Sequence, residues 1–203
     1  MTMTTNARGI SLKDERDIAY LMTGWIHRDV GEWDELRGLF HPDAQIVLSR
    51  FVGPASKFVE GSVRMSRSAF RTKHVIAAPS IRFSSSGLRA VAETNAMVVG
   101  ENRHMLLGTV THNRFIDRVE HRDGRWAIAH QASVYDFSSF TFPVGPSVPI
   151  DRGAVSRFPT EYAALAYLLE ASGFPVGDTF AVKGSDRERA IKDDALAWLE
   201  RSS

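Results

Sequence analysis

The chain changes its hydrophobic periodicity once, and this change restricts the folds that it can adopt. Apolar residues between 11 and 40 recur every three or four positions, as they do on one face of an amphipathic helix. Between 81 and 138 apolar and polar residues alternate instead, which is typical of half-buried strands. Asp123-Gly124 predicts a β-hairpin turn before the last strand. Helices followed by an antiparallel meander predict an α+β fold.

The helical part of the sequence begins with a capped amphipathic helix. Ser11 is a good N-cap, and Ile18 and Met22 repeat at helical spacing after it. Asp29 returns to within roughly 20° of Ile18 on the helix surface at 3.6 residues per turn. The sequence therefore predicts a helix whose apolar stripe ends in a carboxylate, and Gly31 interrupts the pattern after it.

Two more helices and a strand are expected before the meander. A short helix over 33–40 stops at His41-Pro42, because the residue before a proline is pushed out of the helical region. A strand follows at 44–48, and Ser62 caps a third helix that includes His74. The meander strands are expected at 81–83, 88–99, 103–120 and 125–138, with a turn at 100–102.

The chain is expected to divide into three parts. Residues 1–10 are predicted to be a disordered N-terminus, and residues 11–139 a single folded domain. Residues 140–203 form an extension that opens with a proline-rich linker. A helix over 161–171 and a terminal helix that begins at the capping box of Ser185 and Glu188 follow in this extension.

Composition excludes several classes of function. The 25 Lys and Arg residues against 24 Asp and Glu residues leave a net charge of +1, which favours no nucleic-acid partner. No apolar run approaches the roughly 20 residues that span a bilayer, so we expect no membrane partner and a cytoplasmic location. Cysteine is absent, and the seven histidines form no compact ligand set, so we predict no metal and no cofactor.

Three stretches of the sequence carry a resemblance to a known family. These are residues 29–34 (DVGEWD), His74, and the pair 113–117 (NRFID) and 122–128 (RDGRWAI) with its glycine turn before a tryptophan strand. In order and spacing they resemble the SnoaL-like branch of the nuclear transport factor 2-like superfamily over roughly 11–138. The resemblance implies a cone: a curved antiparallel sheet wraps the N-terminal helices and leaves a deep pocket.

The resemblance also implies a catalytic pair. Asp29 and His74 match the aspartate-histidine dyad of the scytalone dehydratase and hexachlorocyclohexane dehydrochlorinase branch. A histidine held by a carboxylate has a fixed tautomer and a stabilised conjugate acid, so it can remove a proton near neutral pH. Arg28 stands where scytalone dehydratases have a tyrosine, so we do not expect this protein to share the substrate of those enzymes.

Strand alternation gives an expected pocket wall. If Asn113 points inward, its alternate neighbours and their partners on adjacent strands do so as well. Such a wall of apolar bulk with a few hydroxyl and amide groups suits a small hydrophobic or aromatic-like substrate. The predicted substrate-binding residues are Trp25, Thr94, Thr111, Asn113, Phe115, Gln131, Ser133 and Tyr135.

The other face of the same strands predicts self-association. With Asn113 inward, Leu106, Gly108, Val110 and Trp126 fall on the outer face and expose an apolar surface. We therefore expect a homodimer or homotrimer, unless the C-terminal helices fold back over this face and leave a monomer.

The sequence favours a cofactor-independent lyase, a dehydratase or dehydrohalogenase, with His74 as the general base and Asp29 as its orienting partner. An isomerase or polyketide-type cyclase could use the same dyad. A ligand-binding or assembly subunit without activity, similar to the beta subunits of ring-hydroxylating dioxygenases, is the third reading.

Overall fold

One curved, unclosed sheet of eight strands organises the computed structural model, which describes residues 11–145, 147–178 and 180–201. The predicted disorder of residues 1–10 lies outside the described residues. The strands are β1 (Phe40–Leu48), β2 (Phe51–Pro54), β3 (Phe70–Ile76), β4 (Ser80–Phe83), β5 (Arg89–Asn102), β6 (Leu107–Arg122), β7 (Arg125–Thr141) and β8 (Ala181–Val182). The helices are α1 (Leu12–Thr23), α2 (Ile26–Val30), α3 (Trp33–Gly38), α4 (Ala55–Ser66), α5 (Arg152–Val155), α6 (Ala163–Ala171) and α7 (Asp186–Glu200).

The sheet has the order β2-β1-β7-β6-β5-β3, with β4 paired to β5 and β8 paired to β7. This arrangement confirms the predicted α+β fold. The strands β3, β5, β6 and β7 pair antiparallel as expected, whereas β1 and β8 run parallel to β7. None of the helices in the described ranges is both long and apolar enough to cross a bilayer.

The N-terminal helices cover the inner face of the sheet. Ser11 caps α1 as predicted, since its Oγ accepts a hydrogen bond from the backbone N–H of Lys13. The expected continuous helix to Asp29 is interrupted after Thr23, where a Cβ on Gly24 would come within 2.5 Å of the Leu39 side chain. The short α2 then carries Asp29 and ends at a left-handed glycine.

The predicted third helix is wrong in both its start and its end. It begins at Ala55, so Ser62 lies buried in its interior instead of capping it. Residues 70–76 form β3, because Phe70, Thr72 and His74 alternate with exposed side chains on an extended backbone. Period two therefore places these three side chains on one face.

The predicted turn at 100–102 belongs to β5, and the chain turns over 103–106 instead. The side chain of Asn102 accepts hydrogen bonds from the backbone N–H groups of His104 and Met105. An asparagine side chain that binds the following backbone starts a turn after itself. The turn therefore begins after Asn102 and not at Gly100.

Trp126 was predicted to lie on the outer face of the sheet, but it lies on the inner face. Its indole lies in the inner core cluster and donates a hydrogen bond from Nε1 to Asp14 at 2.9 Å. The pairing of β6 with β7 shifts by one residue between Arg118 and Val119. Such a bulge reverses the in–out alternation of the strand beyond it, which turns Trp126 inward.

The C-terminal helices pack on different sides of the sheet. The α6 helix lies at the inner face, in a cluster with Phe70 and Tyr135. The α7 helix covers part of the outer face, where Ala195 and Leu199 pack with residues of β5, β6 and β7. Arg114 of β6 bonds Glu188 of α7 at 2.7 Å and Asp136 of β7 at 2.8 Å, so charge and packing both hold this helix.

Candidate active site

A cavity lies between α2, α4, α6 and the inner face of the sheet, and encloses about 510 Å³ with its open mouth. Its wall is mostly aromatic. The Trp25 ring stacks on Phe115 with 5.0 Å between centroids and packs edge-on against Phe58 at 5.7 Å. Phe70 and Tyr135 add to this lining. The aromatic walls suit a small, largely hydrophobic ligand.

His74 and Asp29 form a hydrogen-bonded pair in the cavity wall. Nδ1 of His74 lies 2.7 Å from Oδ1 of Asp29, and the backbone N–H of His74 donates to Oδ2 at 2.6 Å. The strand β3 ends the sheet path, so its outer edge is available to this carboxylate. Both carboxylate oxygens are engaged, which fixes the proton on Nδ1 and leaves Nε2 as the basic nitrogen.

The surroundings keep His74 neutral. Burial lowers the pKa of His74, although the hydrogen bond that its Nδ1 donates to Asp29 offsets part of that effect. The positive charges of Arg28 and Arg50 lower the pKa further. A neutral imidazole at neutral pH is the form that accepts a proton.

The structure brings five of the eight predicted wall residues together with His74. Asn113 Nδ2 donates to Ser133 Oγ at 3.0 Å, and Asn113 Oδ1 has no hydrogen-bond partner among the described residues. The amide oxygen can therefore accept a hydrogen bond from a ligand hydroxyl. The predicted residues that line the cavity are Trp25, Asn113, Phe115, Ser133 and Tyr135.

Thr94, Thr111 and Gln131 do not line the cavity, although all three are fully buried. Gln131 lies beside Asp117, which faces it across β6 and β7 in the core. The two carboxylate oxygens of Asp117 lack a hydrogen bond of ordinary geometry within the described residues. Burial raises the pKa of Asp117 to about 8, and the Gln131 side chain offsets only part of this.

The C-terminal extension (residues 140–203, here called the tail) completes the cavity, a role that the sequence did not predict. Leu165 and Leu169 of α6 line it directly. The hydroxyl groups of Tyr162 and Tyr135 both donate to Oγ of Ser49, which joins the tail to the turn after β1. The only sequence signal for this contact is the apolar face of the helix.

Two arginines of the cavity wall were not predicted. Arg28 precedes Asp29 on α2, and Arg50 lies in the turn between β1 and β2. In the described part of the chain no group of three or more His, Asp or Glu side chains is placed to hold a metal ion. The cavity is therefore lined by these two guanidinium groups and by the imidazole of His74, which is paired with Asp29.

Comparison with known proteins identifies the family of the domain and its fold. A family model described as a SnoaL-like domain matches residues 11–132. A scytalone dehydratase-like protein of Novosphingobium aromaticivorans DSM 12444 is 19% identical, with 68% of this chain and 97% of that chain covered and a TM-score of 0.55. Hexachlorocyclohexane dehydrochlorinase type 3 of Novosphingobium barchaimii LL02 is 16% identical, with 68% and 97% covered and a TM-score of 0.57. At these identities the similarity shows the fold alone. No curated protein matches the chain in sequence.

Proposed function

Because the chain belongs to the SnoaL-like domain family, whose members have enzymatic or ligand-binding roles, we propose that it is a cofactor-independent lyase. Its reaction is a dehydration or dehydrohalogenation of a small hydrophobic cyclic molecule. The observation that carries this proposal is the 2.7 Å contact between His74 and Asp29 at the wall of an aromatic cavity. A scytalone dehydratase-like protein and a dehydrochlorinase of the same fold support the reaction class.

The dyad acts on a C–H bond of the substrate. Nε2 of His74 takes the proton from carbon, and the C–H electron pair becomes the new C=C bond. The group on the neighbouring carbon leaves with its own electron pair, either as halide or as water, and in the second case the hydroxyl takes a proton from the His74 imidazolium. Asp29 holds the imidazole in position and stabilises the imidazolium that forms.

The wall residues orient the substrate for this step. The stacked rings of Trp25 and Phe115 bind one face of a ring compound. Asn113 Oδ1 accepts a hydrogen bond from a hydroxyl leaving group and keeps it beside His74. Leu165 and Leu169 limit the access of water to this region.

The test measures proton abstraction directly. Cyclic ketones with a β-hydroxyl or β-halogen substituent are incubated with the protein in D2O, and NMR follows α-deuteration and alkene formation. His74→Ala and Asp29→Asn should each lower the rate by about a hundredfold or more, the usual range for loss of a general base. The control is His104→Ala, because His104 is exposed in the turn after β5.

Full turnover in the His74→Ala protein would contradict the proposal. Deuteration without release of water or halide would favour an isomerase or polyketide-type cyclase that uses the same dyad. Binding of these ketones with neither deuteration nor elimination would favour a ligand-binding or assembly subunit.

A further inference from the structure

We infer that the substrate of this cavity carries a carboxylate, and that Arg50 binds it with support from Arg28. The inference rests on the proposed function in one respect only: it concerns the substrate of the same cavity. It adds a substrate class and a specificity-determining residue, and binding can test both without turnover.

Arg50 is the first observation. Its side chain lines the cavity, and its Cζ lies 5.8 Å from the centroid of the Phe58 ring. Neither a hydrogen bond nor an ion pair joins it to any of the residues that the structure describes. A largely desolvated guanidinium without a counter-charge is costly, and burial accordingly lowers the pKa of Arg50. Its donors remain free for a ligand.

Arg28 is the second cation, and its position is fixed. Its Nε and Nη1 donate to Ser62 Oγ at 3.3 Å and Thr72 Oγ1 at 2.5 Å. Its nearest carboxylate is Asp29, with 4.0 Å between Nη1 and Oδ1. Burial and the charge of Arg50 lower the pKa of Arg28 to about 9, so it stays charged at neutral pH. Arg28 therefore presents a charge that Asp29 only partly compensates.

The charges around the cavity do not balance. Arg28 and Arg50 line the cavity, and the carboxylate nearest to Arg28 is that of Asp29, whose oxygens already bind His74. With His74 neutral the sum is +1, and the other side chains that line the cavity are aromatic, aliphatic or uncharged polar. Such a desolvated excess of positive charge favours a bound anion much more than the same charge on the surface does.

The N–H donors of Arg50 determine the shape of the ligand group that can pair with it. A guanidinium offers two parallel N–H donors, which match the two oxygens of a planar carboxylate. The stacked rings of Trp25 and Phe115 lie in the same cavity and suit the ring that bears this carboxylate. A ring acid thus pairs with the guanidinium charge and stacks on the aromatic wall, whereas a neutral ring compound can only stack on the wall.

A bound carboxylate would also assist the dyad. The charges of Arg28 and Arg50 lower the pKa of His74, so an anion that neutralises Arg50 raises it. The base then gains basicity only when the correct substrate is present. This effect gives a second readout that a purely structural Arg50 would not produce.

The experiment compares acids with their neutral isosteres. Isothermal titration calorimetry measures benzoate and cyclohexanecarboxylate against benzamide and cyclohexanecarboxamide. We expect the acids to bind at least about tenfold more tightly, the range for a charge-assisted pair. Arg50→Gln should abolish this preference, and Arg50→Lys should keep part of it. Arg67→Gln is the control, because Arg67 is exposed at the end of α4.

NMR titration of His74 gives the second measurement. Benzoate should raise the pKa of His74 in the wild-type protein and leave it unchanged in Arg50→Gln. Equal affinity for acid and amide in the wild-type protein would overturn the inference, whether or not Arg50→Gln folds. An unchanged preference in folded Arg50→Gln would overturn it as well. His74→Ala should keep the acid preference, so loss of the proposed chemistry and loss of the anion site are separate results.

Discussion

At the scale of single residues, two buried aspartates on the same side of the sheet have opposite surroundings. Asp29 uses both carboxylate oxygens on His74, and its side chain is 1% exposed. Asp117 is equally buried but lacks a hydrogen bond of good geometry to any described group. A buried charge is tolerated when it is paired and is costly when it is not. The charge of Asp29 is therefore stabilised by its partner, whereas ionisation of Asp117 would cost folding free energy.

We predict that Asp117→Asn stabilises the protein at high pH. The folded-state pKa of about 8 exceeds the ordinary value near 4, so the folded state holds this proton more tightly. The contribution of this carboxyl group to the free energy of unfolding is therefore fully present below a pH of about 4 and is lost as the pH rises through about 8. The amide removes the charge, and the melting temperature should rise by about 2–4 °C or more at pH 8 and much less at pH 4.

Thermal unfolding at several pH values checks this prediction. Asp123→Asn is the matched control, because Asp123 is exposed in the hairpin turn and already has a positive φ of 52°. Its effect should be small and independent of pH. An Asp117→Asn effect of equal size at pH 4 and pH 8 would show that ionisation is not its cause.

At the scale of elements, the two C-terminal helices differ in what they do. The α6 helix supplies Leu165 and Leu169 to the cavity, so it belongs to the site. The α7 helix packs on the outer face and touches none of the cavity-lining residues in its core cluster. We expect changes in α6 to alter binding, and changes in α7 to alter stability alone.

The α7 packing predicts a difference between two leucines of one helix. Leu199 is 4% exposed against the sheet, whereas Leu196 is 38% exposed. Leu199→Ala should lower the free energy of unfolding by about 2 kcal/mol or more, since it leaves a cavity. Leu196→Ala should change it by about 0.5 kcal/mol or less. Urea denaturation measures both, and equal effects would mean that α7 is not docked as described.

At the scale of the whole molecule, the tail both closes the cone and covers part of its outer face. Leu106 of the predicted outer apolar set is exposed, but Trp126 is buried in the core. A row across β3, β5, β6 and β7 that lies outside the α7 cluster exposes further apolar side chains. In this row Val75 is 52% exposed and Phe137, which stacks on His112, is 57% exposed. The expected homodimer or homotrimer stays a prediction, and this row is where its contact should lie.

Light scattering tests the assembly. We expect a mass of two or three times 22.6 kDa at micromolar concentration, reduced to 22.6 kDa by Phe137→Lys. Tyr20→Lys, on an exposed position of α1, should leave the mass unchanged. A wild-type mass of 22.6 kDa would show that the chain is a monomer, as it would be if the tail alone protected the sheet.

The sequence by itself determined the features that depend on local geometry. The N-caps at Ser11 and Ser185 and the hairpin at Asp123-Gly124 each depend on residues within a few positions of one another. The switch from helical to alternating periodicity likewise determined the fold class, because burial of one face imposes that period on each element. Asp29 and His74 were recognised by a family resemblance, and local spacing alone did not indicate their contact.

Tertiary structure decided what no local pattern encodes. The bulge near Val119 turns Trp126 inward because pairing between strands sets the register, and a single extra residue reverses the alternation. The charge at the cavity was hidden for a similar reason. Arg28 and Arg50 are 22 positions apart, and each looks like a surface cation in the sequence. Both guanidinium groups become desolvated only when α2 and the turn after β1 come together at the cavity. The same packing leaves Arg50 without a counter-charge among the described residues.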